Sequence, residues 1–461
     1  MSERELVGLG GLGVLLVLLL LRVPVGLAMV LVGIGGNFAL SIVAPFLRFE
    51  PYLRSFKTLL WNTVANYELS VVPLFVLMGY LAAHAHLSRD LFQGLNALTG
   101  RWRGGVAMAA MGACAGFGAV CGSSLATAST MGRVALPELR RLDYAPAFAT
   151  GVLAAGGTLG ILIPPSVVLV IYAIVVEASV IAVFQAAVLP GLIAVGLFMG
   201  VIALLVRWRP AIAPPSAGMA PDERHQALWR LLPVLLIFGV VILGLGMGLF
   251  TPTPAAGVGV FVILVYGWLR RAGGGLDRAA FGESLLSTAI TSAMIYFILF
   301  GAEVLKGFFA RAGLPAALAG WAAGSGLDPW LILIGMLLVL ILLGCFMESL
   351  SMILVVVPFF WPVLVDLNGG AWASAETAAF GMDTEELKLW FGILALIVVE
   401  LGLITPPVGL NVFIIHALAR DTAMMDTFRG VMPFFGAELL RVILLLGVPG
   451  LTLLLPRLLS G

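Results

Sequence analysis

A chain of 461 residues that is 61% hydrophobic and only 11% charged has more apolar surface than a water-soluble core can hide. The composition specifies an all-α, polytopic protein immersed in the lipid bilayer, with no sign of an enzyme. A net charge of +1 points to no particular partner, and none is expected among nucleic acids.

The opening stretch MSERELVGLG carries Glu3 and Glu5 beside Arg4, which suits a retained first helix better than a signal peptide. Glu5 to Leu21 and Pro24 to Ala44 read as two spans, Leu47 to Thr58 as an amphipathic interfacial segment, and Ser70 to Ala83 as a third span. These make a scaffold over residues 1–87, followed by an arm at 88–103. Residues 104–139 read as a hairpin broken at Gly122-Ser123-Ser124, 147–176 as a broken helix and 181–205 as a span. Residues 207–230 hold Pro210, Pro214, Pro215 and Pro221 among mixed charges, and read as an exposed, loosely ordered cytoplasmic linker. The order then repeats over 231–461. Scaffold helices occupy 231–303 and an amphipathic arm 304–326. A hairpin at 329–366 is broken near Met347 to Ser351; a broken helix at 388–419 and a last span at 431–455 follow.

Each broken helix is centred on a proline pair, Pro164-Pro165 in LGILIPPS and Pro406-Pro407 in LGLITPPVG. Proline removes a backbone donor and frees the carbonyl one turn earlier, and it pushes the preceding residue out of helical geometry. In lipid such freed groups cost several kcal/mol each unless something binds them. In transporters that partner is often an ion or a substrate. With the N-terminus outside, about two Arg or Lys lie in the cytoplasm for each one outside. Arg22, Arg101, Arg103, Arg140, Arg141 and Arg271 are among the cytoplasmic ones. Both termini then lie on the outer side and each half crosses an odd net number of times. The expectation is an inverted repeat with two re-entrant hairpins whose tips meet near the midplane.

The chemistry concentrates at these breaks. GFGAVCGSSLATAST, Gly116 to Thr130, combines glycines that admit a close ligand with hydroxyls that supply neutral oxygens. Gly122 and Ser123, with Gly160 and Pro164, read as one Na+ site; Ser349, Ser351, Gly402, Thr405 and Pro406 read as a second. The alternative is small-residue helix packing, with each hydroxyl bonded to its own helix. Ser124, Thr127, Thr158, Glu348 and Asn411 are the substrate candidates. Glu348 and Glu400 are intramembrane acids, read either as ion or proton carriers or as acids reaching water from a helix end. His416 reads as a polar helix-end residue rather than a proton relay. Cys114, Cys121 and Cys345 lack metal or disulfide spacing. No Gly-Lys-Ser/Thr phosphate loop is present, so ATP does not drive the chain directly.

The run GSSLATASTMGRVALPELRRLDYAPAFATGVLAAGGTLGILIPPS, Gly122 to Ser166, closely resembles the large membrane subunit of TRAP (tripartite ATP-independent periplasmic) transporters. TPTPAAG at Thr251 to Gly257 and ELGLITPPVGLN at Glu400 to Asn411 resemble it too, and the likeness runs over essentially the whole chain. One departure is Pro254, where the family usually has Glu. The resemblance implies Na+-coupled import of an organic acid, such as a C4-dicarboxylate or sialic acid, across the bacterial inner membrane. It implies a periplasmic substrate-binding protein and a small four-helix membrane subunit, here expected as a separate chain. It also implies an elevator mechanism, in which hairpins and broken helices slide against a fixed scaffold. Two other readings stay open: a stand-alone H+- or Na+-coupled anion carrier, and an intramembrane serine hydrolase built on Ser123 or Ser124.

Overall fold

The computed structural model describes residues 2–215, 218–246, 249–270 and 275–459. Arg271, counted above as cytoplasmic, and residues 216–217 of the linker lie outside the described residues. The first half runs α1 (Glu3–Leu20), α2 (Val25–Val43), α3 (Phe49–Val64), a 3-10 turn at Tyr67–Ser70, α4 (Val71–His84), α5 (Leu87–Thr99), α6 (Gly105–Cys121), α7 (Ser124–Arg141), α8 (Pro146–Leu162), α9 (Val167–Val175) and α10 (Val180–Trp208). The second runs α11 (Pro221–Gly246), α12 (Pro252–Leu269), α13 (Arg278–Ala312), α14 (Leu314–Gly324), α15 (Pro329–Gly344), α16 (Ser349–Leu367), α17 (Thr384–Leu403), α18 (Leu410–Leu418), α19 (Met424–Gly447) and α20 (Gly450–Leu459).

Among the described residues, 8 helices are long and apolar enough to cross a bilayer, and the bent pair α8 and α9, 46° apart, makes a ninth. The first hairpin arms fall short of that length. At about 1.5 Å per residue, helices such as α6 and α15 reach roughly 25 Å, less than the roughly 30 Å hydrocarbon core. Both end at a turn that leads directly into the return arm, α7 or α16. The halves are joined by reciprocal pairings: α2 packs on α13 and α4 on α12, while α7 packs on α18 and α9 on α16. Each half-helix beyond a proline pair therefore lies on the hairpin of the other half.

Four boundaries differ from the expectation. α13 is continuous through 304 and stops at Gly313, whose φ of +75° ends the helix, with Pro315 in the first turn of α14. The polarity at Glu303 and Lys306 marks a vestibule along α13 and not a helix end. The linker is shorter than expected because α11 starts at Pro221, with Asp222 and Glu223 facing its positive N-terminus. The second hairpin turns at Cys345–Glu348. The last span is split at Val448-Pro449 into α19 and α20.

Polar clasps fix the arms. Asp90 on α5 pairs with Arg270 and accepts a 2.8 Å hydrogen bond from the Tyr266 hydroxyl, tying the arm to α12. At the other end of the molecule Arg311 donates to Asn37 Oδ1 at 2.7 Å and to the Arg48 carbonyl at 3.1 Å, with its guanidinium over the Tyr52 ring.

Candidate functional site

The first hairpin can be traced along α8 from its glycines. Gly160 lies against Gly118 of α6 and against Ser123 and Thr127 of the return arm; one turn earlier, Gly156 faces Cys114 and Gly157 faces Ala128. Both arms thus run back along α8 from a shared tip. The turn requires Gly122, whose φ is +61° and whose missing side chain leaves room for the backbone of Ser166 and Val167. Ser123 caps α7 by accepting from the Ala126 amide at 3.4 Å. The tip therefore sits on the break between α8 and α9, at the cis Pro164-Pro165 bond.

The second hairpin repeats the arrangement. Gly344 of α15 lies against Val399 and Gly402 of α17, and the Cys345 thiol is 3.6 Å from the Pro406 carbonyl oxygen, beside the cis Pro406-Pro407 bond. Gly160 and Gly402 occupy the same place in their LG-x-x-x-PP motifs. Each carries the backbone-to-backbone contact that brings a hairpin to a break.

Between the tips lies Glu400, near the C-terminal end of α17 in its buried stretch, residues 389–403, and 1% exposed. Its Oε2 accepts from the Ser124 hydroxyl and its Oε1 from the Ser349 hydroxyl, both at 2.6 Å. One carboxylate thus holds the first residue of each return arm. A cavity of about 140 Å³ adjoins this junction, lined by Gly122, Ser123 and Ser124 of one tip, Glu348 and Ser349 of the other, and Thr291 of α13. The next turns of α13 and α16 line a vestibule of about 740 Å³, with Glu303, Lys306, Trp361, Trp372 and Lys388 on its wall.

The structure thus brings together Gly122, Ser123, Ser124, Glu348 and Ser349 around one cavity. Asn411, from α18, crosses to the first half and donates to the Ala154 carbonyl at 3.4 Å, while its Oδ1 is buried without a partner. Thr127 Oγ1 is also buried; the Cys121 thiol is near it without hydrogen-bond geometry. Pro164 faces α10, beside Phe184. Thr158 does not line the central cavity: its hydroxyl donates to the Ala155 carbonyl at 2.7 Å within α8. Ser351 bonds Glu348 at 3.2 Å and Thr405 bonds the Leu401 carbonyl at 2.5 Å. His416 closes the turn after α18 through the Thr422 carbonyl, 3.0 Å away.

Sequence reasoning missed two features. Ser166 stands at the N-cap position of α9 immediately after the proline pair but makes no capping bond, and its buried hydroxyl has no partner; its place after Pro165 was the available signal. Glu438 and Arg441 form a buried ion pair on α19, with Arg441 Nη1 donating to the Pro190 carbonyl at 3.3 Å. Their i,i+3 spacing was legible, but their burial was not.

Two hairpins meeting two broken helices at a buried polar centre define a membrane-embedded transporter. The sequence profile described as tripartite ATP-independent periplasmic transporter, DctM component, matches residues 12–451. The chain is 34% identical over 425 residues to a C4-dicarboxylate TRAP transporter large permease of Pseudomonas aeruginosa, covering 91% of this chain and 94% of that one. It is 29% identical over 401 residues to a sialic acid TRAP transporter large permease of Vibrio cholerae, covering 86% and 88%. Its fold is similar to the YdaH transporter of Alcanivorax borkumensis, with a TM-score of 0.62 at 17% identity over 87% of this chain and 88% of that one. The chain belongs to the DctM family, the large permease component of these transporters.

Proposed function

We propose that the chain is the transport subunit of a Na+-coupled, binding-protein-dependent importer of an organic acid anion. The substrate class is a carboxylate such as the C4-dicarboxylate or sialic acid named for its relatives. The observation that carries the reading is the convergence of both hairpin tips on one junction, against α13, with proline breaks behind them. Oxygen donors suit a hard cation. The first Na+ would be held around Gly122, Ser123, Gly160 and Pro164, where the orphaned hydroxyl of Ser166 supplies a further oxygen. The second would be held around Ser349, Ser351, Gly402, Thr405 and Pro406. Ser124, Thr127, Glu348 and Asn411 would face the substrate, with Thr158 acting only through the wall of α8.

Hairpins and broken helices would move together as an elevator against α2, α4, α12 and α13, so ions and substrate travel as one cargo. The halves are inverted in this reading, with both termini in the periplasm. The vestibule then opens to the periplasm, where the binding protein delivers substrate; the small membrane subunit braces the scaffold. Two Na+ with a monoanion would move one net charge, worth about 2.3 kcal/mol per 100 mV.

Reconstitution with the small subunit and binding protein tests this. Uptake should require both Na+ and the binding protein. Uptake driven by H+ without Na+, or by this chain alone, would overturn the proposal.

A further inference from the structure

We propose that Glu400 is a positioning residue that couples the two hairpin tips, so that cation occupancy at one tip prepares the other. The inference rests on the Na+ reading above. Its structural basis is the bridge itself: Ser124 Oγ to Glu400 Oε2 and Ser349 Oγ to Glu400 Oε1, each 2.6 Å. Ser124 follows Ser123 at the start of α7, and Ser349 follows Glu348 at the start of α16, so each bond holds the first turn of a return arm.

The duplication does not explain this carboxylate. Thr158 stands at the corresponding place, before Leu159-Gly160 as Glu400 stands before Leu401-Gly402, and its hydroxyl is spent within its own helix. One half supplies a bridge to both tips and the other supplies none. An amide could join two hydroxyls at much lower desolvation penalty, because a buried charge bonded only to neutral donors is expensive, and the buried cation nearby, Arg441, is already paired with Glu438. A carboxylate is warranted where cations arrive. Each proposed Na+ site includes a residue of a tip, and negative charge between the sites offsets both ions. The first ion orders its tip and fixes that serine on Glu400; the carboxylate is then oriented for the second serine, whose tip needs less ordering to bind. Coupling by prior ordering gives positive cooperativity.

The test is a Na+ titration of substrate uptake by the complete reconstituted system, comparing the unmodified chain with Glu400→Gln. Gln keeps the length and can still bond both serines, once as acceptor and once as donor, but loses the negative charge that offsets both ions. The unmodified chain should show a Hill coefficient clearly above one. Glu400→Gln should bring it to about one and raise half-saturating Na+ by about tenfold, the scale of one charge attraction lost at close range. The substrate KM at saturating Na+ should move little. A Hill coefficient of about one in the unmodified system, or an unchanged one in Glu400→Gln, overturns the coupling while leaving Na+ dependence intact. Uptake with no Na+ dependence at all overturns the Na+ reading and the coupling with it. If Glu400→Gln does not insert, Ser124→Ala and Ser349→Ala each remove one arm of the bridge, and each should lower the Hill coefficient. Cooperativity retained in both overturns the inference.

Discussion

Gly402 of α17 rests on Gly344 of α15 so closely that a β-carbon on Gly402 would stand 2.5 Å from the Gly344 carbonyl carbon. The first half has the same contact, where a β-carbon on Gly118 would stand 2.6 Å from Gly160 Cα. Backbone cannot rotate away as a side chain can, so Gly402→Ala must push hairpin and broken helix apart. Overpacking of this kind costs about 1–3 kcal/mol or more. The expected result is a clear drop in melting temperature in detergent, with transport lost even at saturating Na+. Gly257→Ala, on α12 with nothing within 4 Å of the added carbon, should leave both unchanged. Equal melting temperatures for the two variants would refute the close contact.

Ser123→Ala and Ser349→Ala should weaken Na+ dependence more than they weaken expression. Loss of the Ser123 cap removes about 1 kcal/mol of local helix stability, which a protein of this size tolerates. Ser349 loses its bond to Glu400. The measurement is half-saturating Na+ set against the amount of folded protein in the membrane. If half-saturation stays constant in both, the ions are bound elsewhere.

The breaks were legible in the sequence because proline and glycine act locally: the two proline pairs and the Gly-Ser turn at Gly122 disrupt helices whatever surrounds them. The facing of α17 was not legible. Leu389 to Leu403 is buried on every side, so no polar stripe marks which residues point at the centre. Glu400 stood out as a charge in an apolar run, but its two serine partners come from 276 and 51 positions away. Thr158 shows the opposite failure. Its distance from the break suggested the cavity, yet its hydroxyl folds back on its own helix, the ordinary behaviour of Thr in an apolar helix. The misplaced end of α13 arose because a vestibule exposes Glu303 and Lys306 in mid-helix, and local composition cannot distinguish that from an interface.

Asn411 offers a test of the substrate face. It sits in the first turn of α18 with Nδ2 committed to Ala154 and Oδ1 buried without a partner. Asn411→Asp adds negative charge where an anion is proposed to bind, whereas Asn411→Ala only removes donors. The aspartate should raise substrate KM more than the alanine does, by at least about tenfold if the charge is within contact distance. The ranking is read from uptake at fixed, saturating Na+. An alanine variant as impaired as the aspartate would make Asn411 a packing residue between α18 and α8, and would move the substrate elsewhere along the junction.

Sidedness can be read from two exposed residues at opposite faces of the proposed topology. Trp372, 98% exposed, stands on the vestibule wall in the connection between α16 and α17; Arg420 is exposed just beyond α18. One crossing, through α17 and α18, separates them. The positive-inside count assigns Trp372 to the periplasm and Arg420 to the cytoplasm. Trp372→Cys in intact cells with a permeabilised outer membrane should react with an impermeant maleimide, and Arg420→Cys should react only after the inner membrane is opened. The native thiols give little background, since Cys114 and Cys345 are buried and Cys121 is partly so. The reverse labelling order would invert the whole topology. The vestibule would then open to the cytoplasm, and the binding protein would have to dock on the face that carries Arg140 and Asp421.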